Sequence, residues 1–239
     1  MTTPRIVVVG LGPAGPEYVT EHTRAEIARV AHRYLRTDRH PSASLVPDAD
    51  TFDDVYEAAD TFADVYAEIA DRLAAAAQLH GEVLYAVPGS PLILERTVRA
   101  LRTDQRIECT IHPAMSFLDI AYARLGIDPV EANVTLVDGH EFAIAAAGMA
   151  GPLLVAHTHA NWVLSDIKLA VENATGDEPV VLRAGSVTEE AHDVANSQHG
   201  HQGGQQVESR EARGMGSGST QDSALHGAHL PAAALRGVI

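Results

Sequence analysis

Three observations predict an α/β chain whose first sheet is mainly parallel and covered by helices on both faces. Runs of strand length at Ile6 to Val9, Arg33 to Arg36, Val83 to Val87, Ile107 to Ile111, Leu153 to Ala156 and Val180 to Leu182 alternate with longer helical patterns. Most of these runs are near-continuously apolar, as strands buried on both faces must be. Loops carrying glycine, proline or serine follow the runs at Gly10, Val87 and His112, each feeding a helical pattern.

The first strand leads directly into Gly10-Leu-Gly12-Pro-Ala-Gly15-Pro16, with a helical pattern from near Glu17. Glycines there let the chain turn tightly and let a ligand approach the backbone. The second strand ends in the turn Asp38-Arg39-His40-Pro41. Thr51-Phe-Asp-Asp54 and Thr61-Phe-Ala-Asp64 each set a hydroxyl three residues before an acid, the form of a capping box. The second box opens a helix whose apolar stripe includes Val65, Ile69 and Leu73.

The third clear strand ends in Val87-Pro-Gly-Ser-Pro-Leu-Ile93, and Pro91 introduces a helix over Ile93 to Leu101. The fourth ends in His112-Pro-Ala-Met-Ser-Phe117, with Ser116 at the N-cap of a helix over Phe117 to Leu125. At Pro113 the strand-helix alternation restarts, which divides the chain into a domain over 1–112 and a smaller one over 113–195. The stripe Trp162, Leu164, Ile167, Leu169 is expected to pack the second core. Residues 196–239 are rich in Gly, His and Gln and too poor in large apolar groups to offset their ordering entropy. They are expected to be largely disordered, with one further edge segment at 229–235.

Charge narrows the function. Seventeen Lys plus Arg against 32 Asp plus Glu leave −15 over 239 residues, which disfavours nucleic acid and anionic lipid. No stretch approaches the roughly 18 apolar residues of a membrane span. MTTPRIVVVG has too short an apolar run for an export signal, and one cysteine, Cys109, allows no internal disulfide. A cytoplasmic protein is therefore expected.

Gly10, Gly12 and Gly15 fit the GxGxxG pattern, and Asp38 stands about where a dinucleotide fold keeps its ribose carboxylate. An NAD(P)-dependent oxidoreductase is one reading. Pro13 opposes it by removing an N–H where a pyrophosphate needs donors, and Pro16 follows the third glycine. His157-Thr-His159 gives two imidazoles without a third ligand, and His199, His201, His226 and His229 are irregularly spaced, so no metal site is expected.

Together, VVGLGPAGPEYVT, VPGSPLILERT and HPAMSFLDIA resemble the three loops of the tetrapyrrole (corrin/porphyrin) methylase superfamily, the class III S-adenosylmethionine-dependent methyltransferases. YLRTDRHP, TFDDVYE, VPGSPL and SDIKLA resemble the methylase-like domain found fused to MazG-type nucleoside triphosphate pyrophosphohydrolases. The resemblance runs from about residue 5 to about residue 190. It implies two α/β domains with S-adenosyl-L-methionine in the cleft between them, usually in a homodimer.

Carried over by position, the resemblance implies cofactor contacts at Pro13, Ser90, Ile93, Ser116 and Phe117, and further at Thr158 and Ala184. Ser90 stands where many members have Asp, and Ala114 where the third loop usually has Gly. Asp38, Arg39 and His40, expected at the cleft mouth, are the candidates for contact with a small-molecule acceptor. The expected function is methyl transfer to an acceptor that the sequence leaves open. A non-catalytic regulatory domain acting beside a MazG-type hydrolase is the alternative. The chain is expected to lack the family's last strand and any fused hydrolase.

Overall fold

The computed structural model describes residues 3–59, 61–149, 151–158, 160–175, 182–186 and 232–236. Those residues build two parallel sheets. The first comprises β1 (Arg5–Gly10), β2 (Arg33–Leu35), β3 (Asp50–Thr51), β4 (Glu82–Val87) and β5 (Glu108–Ile111), in the order β3-β2-β4-β1-β5 with every pairing parallel.

Successive side chains of the two central strands serve opposite faces, as strand geometry dictates. Ile6, Val8, Val83, Tyr85 and Val87 pack under α2 (Asp53–Ala58), α3 (Phe62–His80) and α4 (Arg96–Leu101). Val7, Val9, Leu84 and Ala86 pack under α1 (Glu21–Arg29) through Ile27. Both faces being dry explains why these strands are continuously apolar in sequence. In α3 the buried residues Val65, Ile69, Leu73 and Ala77 recur every four positions, and burying Ile69 or Leu73 fully contributes roughly 1.5–3 kcal/mol. The Thr61 hydroxyl caps this helix by accepting from the Asp64 N–H at 3.2 Å.

The second sheet comprises β6 (Thr135–Asp138), β7 (Leu153–Ala156), β8 (Leu182–Ser186) and β9 (Ala232–Arg236), ordered β6-β7-β9-β8 and also parallel. Val137 and Val155 pack with Val163 and Ile167 of α7 (Asn161–Thr175) and Phe142 of α6 (Phe142–Ala145). Leu136 and Leu154 face the other way, onto Leu118, Ala121, Tyr122 and Leu125 of α5 (Phe117–Leu125). The opposite edge of α5 carries Ile120 and Phe117 against Ala14 and Tyr18, so this one helix ties the second sheet to the first glycine loop. Among the described residues no helix is long and apolar enough to cross a membrane.

Several local expectations are corrected. The helix after the glycine loop starts at Glu21, capped by the Thr20 hydroxyl, because Pro16–Tyr18 form a single 3-10 turn. Thr51 caps nothing: it lies in β3, and α2 starts after Phe52 without a side-chain cap. The helix expected from Ile93 starts at Arg96, because a turn closed by the Ile93 N–H on the Ser90 carbonyl occupies the interval. Trp162 and Leu169 are exposed, at 58% and 57%, and the stripe that packs α7 is Val163 and Ile167. The segment expected at an edge over 229–235 contributes β9, which lies between β7 and β8. Residues 187–231, with His199, His201, His226 and His229, lie outside the described residues.

Candidate functional site

β4, β1 and β5 are neighbours and parallel, so the loops leaving their carboxyl ends must open on the same sheet edge. Those are the three loops singled out in the sequence, and they meet at Gly10. A Cβ added there would come within 3.0 Å of the Gly89 carbonyl oxygen, the Ala114 Cβ and Pro91 Cδ, one contact from each of the other two loops and a second from the middle one. The Leu11 N–H donates to the Val87 carbonyl at 2.8 Å, and the Gly89 N–H to the Gly12 carbonyl at 2.8 Å. Gly12, at φ +74°, permits the turn.

Pro13 is buried in this junction, and Ser90 and Ile93 are half-buried in the middle loop. The Ser116 side chain is 6% exposed; its hydroxyl accepts from the Leu118 N–H at 2.9 Å while Asp119 accepts from the Ser116 N–H at 2.7 Å, a complete capping box. Phe117 packs beside Ala14 and Tyr18. Thr158 is fully buried just past β7, and Ala184 lies in β8 in register with Ala234. The structure thus gathers Pro13, Ser90, Ile93, Ser116 and Phe117 around one junction, while Thr158 and Ala184 belong to the second sheet.

The three acceptor candidates separate. His40 is 8% exposed: its Nδ1 accepts from the Ser42 N–H at 3.2 Å and its ring is hydrogen-bonded to the Gly12 backbone. Burial holds its pKa below the ordinary imidazole value. The Ser42 hydroxyl donates to the Ala14 carbonyl at 2.9 Å, so the His40 turn clamps the first loop from outside. Arg39 is exposed and pairs with Glu57 at 3.4 Å. Asp38 is exposed too, its N–H donated to Asp53 at 2.9 Å.

Beside the middle loop, a cavity of about 620 Å³ opens between the sheets, lined by Leu94, Glu95, Arg96, Arg99 and Arg102 on one side and by Asp138 on the other. Arg96, Arg99 and Arg102 stand three apart, on one face of α4 and its end. Arg96 reaches Glu141 at 3.2 Å across the mouth. Glu95 makes a buried ion pair with Arg36 at 2.7 Å, and Arg36 also donates to the Tyr56 hydroxyl at 2.7 Å. Among the described residues the second oxygen of Glu95 has no hydrogen-bond partner.

Asp138 at the end of β6 meets His140 and His157. Half-burial raises the Asp138 pKa, but hydrogen bonds from the His157 ring and the His140 N–H outweigh it and hold the carboxyl well below the usual range. Sequence reading missed Asp138, His140 and the arginine row. Their signal was weak: β6 is four residues long, and an arginine every third position also describes an ordinary solvated helix face.

The glycine pattern does not deliver a dinucleotide cradle. A pyrophosphate needs the N-terminus of a long helix directly after the third glycine. Here α1 begins six residues past Gly15, Pro13 offers no N–H, and a Cβ at Gly12 would meet the Tyr18 carbonyl at 2.8 Å. Space is open instead over Gly89, at φ +65°, where a Cβ would have no neighbour within 4 Å. A ligand can therefore approach the backbone of the middle loop.

Two parallel sheets joined by α5, with three loops meeting at one edge, define a two-part α/β protein whose candidate site lies at the carboxyl ends of its first sheet's strands. Residues 5–195 match the family described as Tetrapyrrole (Corrin/Porphyrin) Methylases, and the chain belongs to that family. It is similar to the uncharacterized protein YabN of Bacillus subtilis (strain 168), at 32% identity over 203 residues. That alignment takes in 80% of this chain and 40% of YabN, so the chain spans less than half of its curated relative. Uroporphyrin-III C-methyltransferase of Thermus thermophilus has the same fold. Its native form aligns with a TM-score of 0.51 at 17% identity, covering 73% of this chain and 78% of that one. Its complex with S-adenosylhomocysteine aligns with a TM-score of 0.50 at 16% identity, with the same coverage.

Proposed function

We propose that the chain is an S-adenosylmethionine-dependent methyltransferase whose cofactor lies against the junction of the three loops. The observation that carries this reading is the convergence of β1, β4 and β5 loops at Gly10 beside open space over Gly89. Family membership supports it, as does the fold shared with a protein crystallised with S-adenosylhomocysteine.

When bound, the cofactor supplies an electrophilic methyl group on a sulfonium. The chain's own part is positioning and exclusion of water, which require no nucleophilic side chain. Ser90 and the backbone around Gly89 would orient the cofactor from the middle loop, Pro13 and Phe117 would enclose it, and Ser116 would fix the third loop through its capping box. Thr158 and Ala184 would contribute from the second sheet. His40 acts through the first loop rather than on the acceptor, while Asp38 and Arg39 are left for the acceptor's approach.

The acceptor is a small molecule, and the neighbouring cavity, which sets Arg96, Arg99 and Arg102 beside Glu95, Asp138 and Glu141, favours one that carries both carboxylates and hydrogen-bond donors. A homodimer in the cytoplasm, working beside a MazG-type pyrophosphohydrolase, completes the proposal. In the second reading the same domain regulates that partner without turnover; the likeness of YLRTDRHP, TFDDVYE, VPGSPL and SDIKLA to the MazG-fused branch favours it.

Calorimetric titration with S-adenosylmethionine, S-adenosylhomocysteine and NAD tests the cofactor. Micromolar binding of the first two, weakened at least tenfold in Ser90→Tyr, is expected. Binding of NAD alone would overturn the assignment. Transfer of a labelled methyl group to carboxylate-bearing acceptors then separates catalysis from regulation.

A further inference from the structure

Beyond methyl transfer, and independently of it, we propose that Asp138, His140 and His157 form a binding site for a first-row divalent metal ion such as Zn²⁺ or Co²⁺. The Asp138 Oδ1 lies 3.1 Å from the Nδ1 of His140 and 3.1 Å from the Nδ1 of His157. One ligand atom from each of the three groups falls within 4.8 Å of the others. Ligands bonded at about 2.1 Å to one ion stand roughly 3.0–3.4 Å apart in octahedral or tetrahedral geometry, and both spacings from the Asp138 Oδ1 fall in that range. Two imidazoles and one carboxylate are a donor set suited to such ions, and they leave coordination positions open.

Backbone geometry builds this arrangement. Asp138 pairs with Ala156 in the parallel register of β6 and β7, so His157 is the next residue beyond its partner. His157 then adopts φ +58°, a left-handed conformation that costs a non-glycine residue energy and persists where surroundings impose it. Gly139 lets the two strand ends close together: a Cβ there would sit 2.8 Å from the Ala156 carbonyl oxygen and 3.0 Å from Val163 Cγ1. The three side chains are 15–27% exposed, sheltered yet reachable. Asp138 also lines the cavity that carries Arg96, Arg99 and Arg102, so an ion held here would open toward the same space.

The other histidine cluster, His22, Glu26 and His112, offers a built-in control. There His22 Nε2 is hydrogen-bonded to His112 Nδ1 at 2.6 Å, closer than two ligands of one ion stand, and Glu26 is held by the Arg29 guanidinium at 2.7 Å, a cation that competes with any ion for its carboxylate.

The test uses the full chain with His199, His201, His226 and His229 changed to Gln, so that those histidines bind no probe. Co²⁺ is titrated and followed by its visible absorption, with Zn²⁺ as competitor. One equivalent of Co²⁺ with a protein-dependent visible band, displaced by Zn²⁺, is expected. His140→Gln and Asp138→Asn should each weaken binding about 100-fold, at least as much as losing a residue that only supports a metal ligand. His22→Gln should change nothing. The His140 ring packs beside those of Phe62, His157 and Trp162, so circular dichroism verifies that its variant folds, and Asp138→Asn, which keeps the shape of the side chain, gives an independent reading. Absence of the band in the parent chain, or equal affinity in His140→Gln, would overturn the proposal.

Discussion

Gly10 is the residue on which the three-loop junction turns. Its missing Cβ is what lets Gly89, Pro91 and Ala114 close in, and two of those contacts are to backbone or a proline ring that cannot swing away. Gly10→Ala should therefore cost about 1–3 kcal/mol, the usual penalty for overpacking, and abolish binding of S-adenosylhomocysteine. Urea denaturation and calorimetry read the two effects. His40 gives a pH signature. Its pKa is lowered in the folded state by burial, so the fold favours neutral imidazole. Stability is present above the unfolded value, about 6.5, and is lost as the pH falls below it toward the folded pKa. His112, also lowered by burial, adds to the slope. The melting temperature should fall between pH 7 and pH 5, and fall less in His40→Gln. An unchanged profile in that variant would contradict the clamp.

At the scale of elements, α5 links the halves, and its N-terminus carries the third loop. Ser116→Ala removes the hydroxyl that accepts from Leu118 and should cost about 1 kcal/mol, measured by denaturant unfolding. Ser116→Asp, which still caps, should recover that loss. The long elements were legible because their patterns carry their burial: α3 repeats Val65, Ile69, Leu73, and β1 and β4 are dry on both faces. Errors fell where local chemistry competes. Thr51 has the right spacing for a cap yet pairs in β3, and the helical pattern from near Glu17 begins as a 3-10 turn, with the helix itself starting at Glu21. Trp162 reads as core by size, but on α7 the face set by Val163 and Ile167 excludes it. β6 is too short to announce itself, which is why Asp138 went unseen.

For the whole molecule, the sheet order explains why the motif loops, separated by up to about 100 residues, form one site: β4, β1 and β5 are adjacent and parallel. That order is non-local and cannot be read from periodicity; the three loops were found through their resemblance to a family, and the topology gives the physical reason they act together. The cavity with its arginine row depends on how the two sheets meet, which no local pattern encodes. The central claim is that the loop junction, with the second sheet opposite, holds an S-adenosyl cofactor. A crystal structure of the chain with saturating S-adenosylhomocysteine tests it most directly. The account predicts the ligand between the two sheets, against Gly89, Ser90 and Ser116. Ligand bound away from that junction, or none bound at saturation, would contradict it.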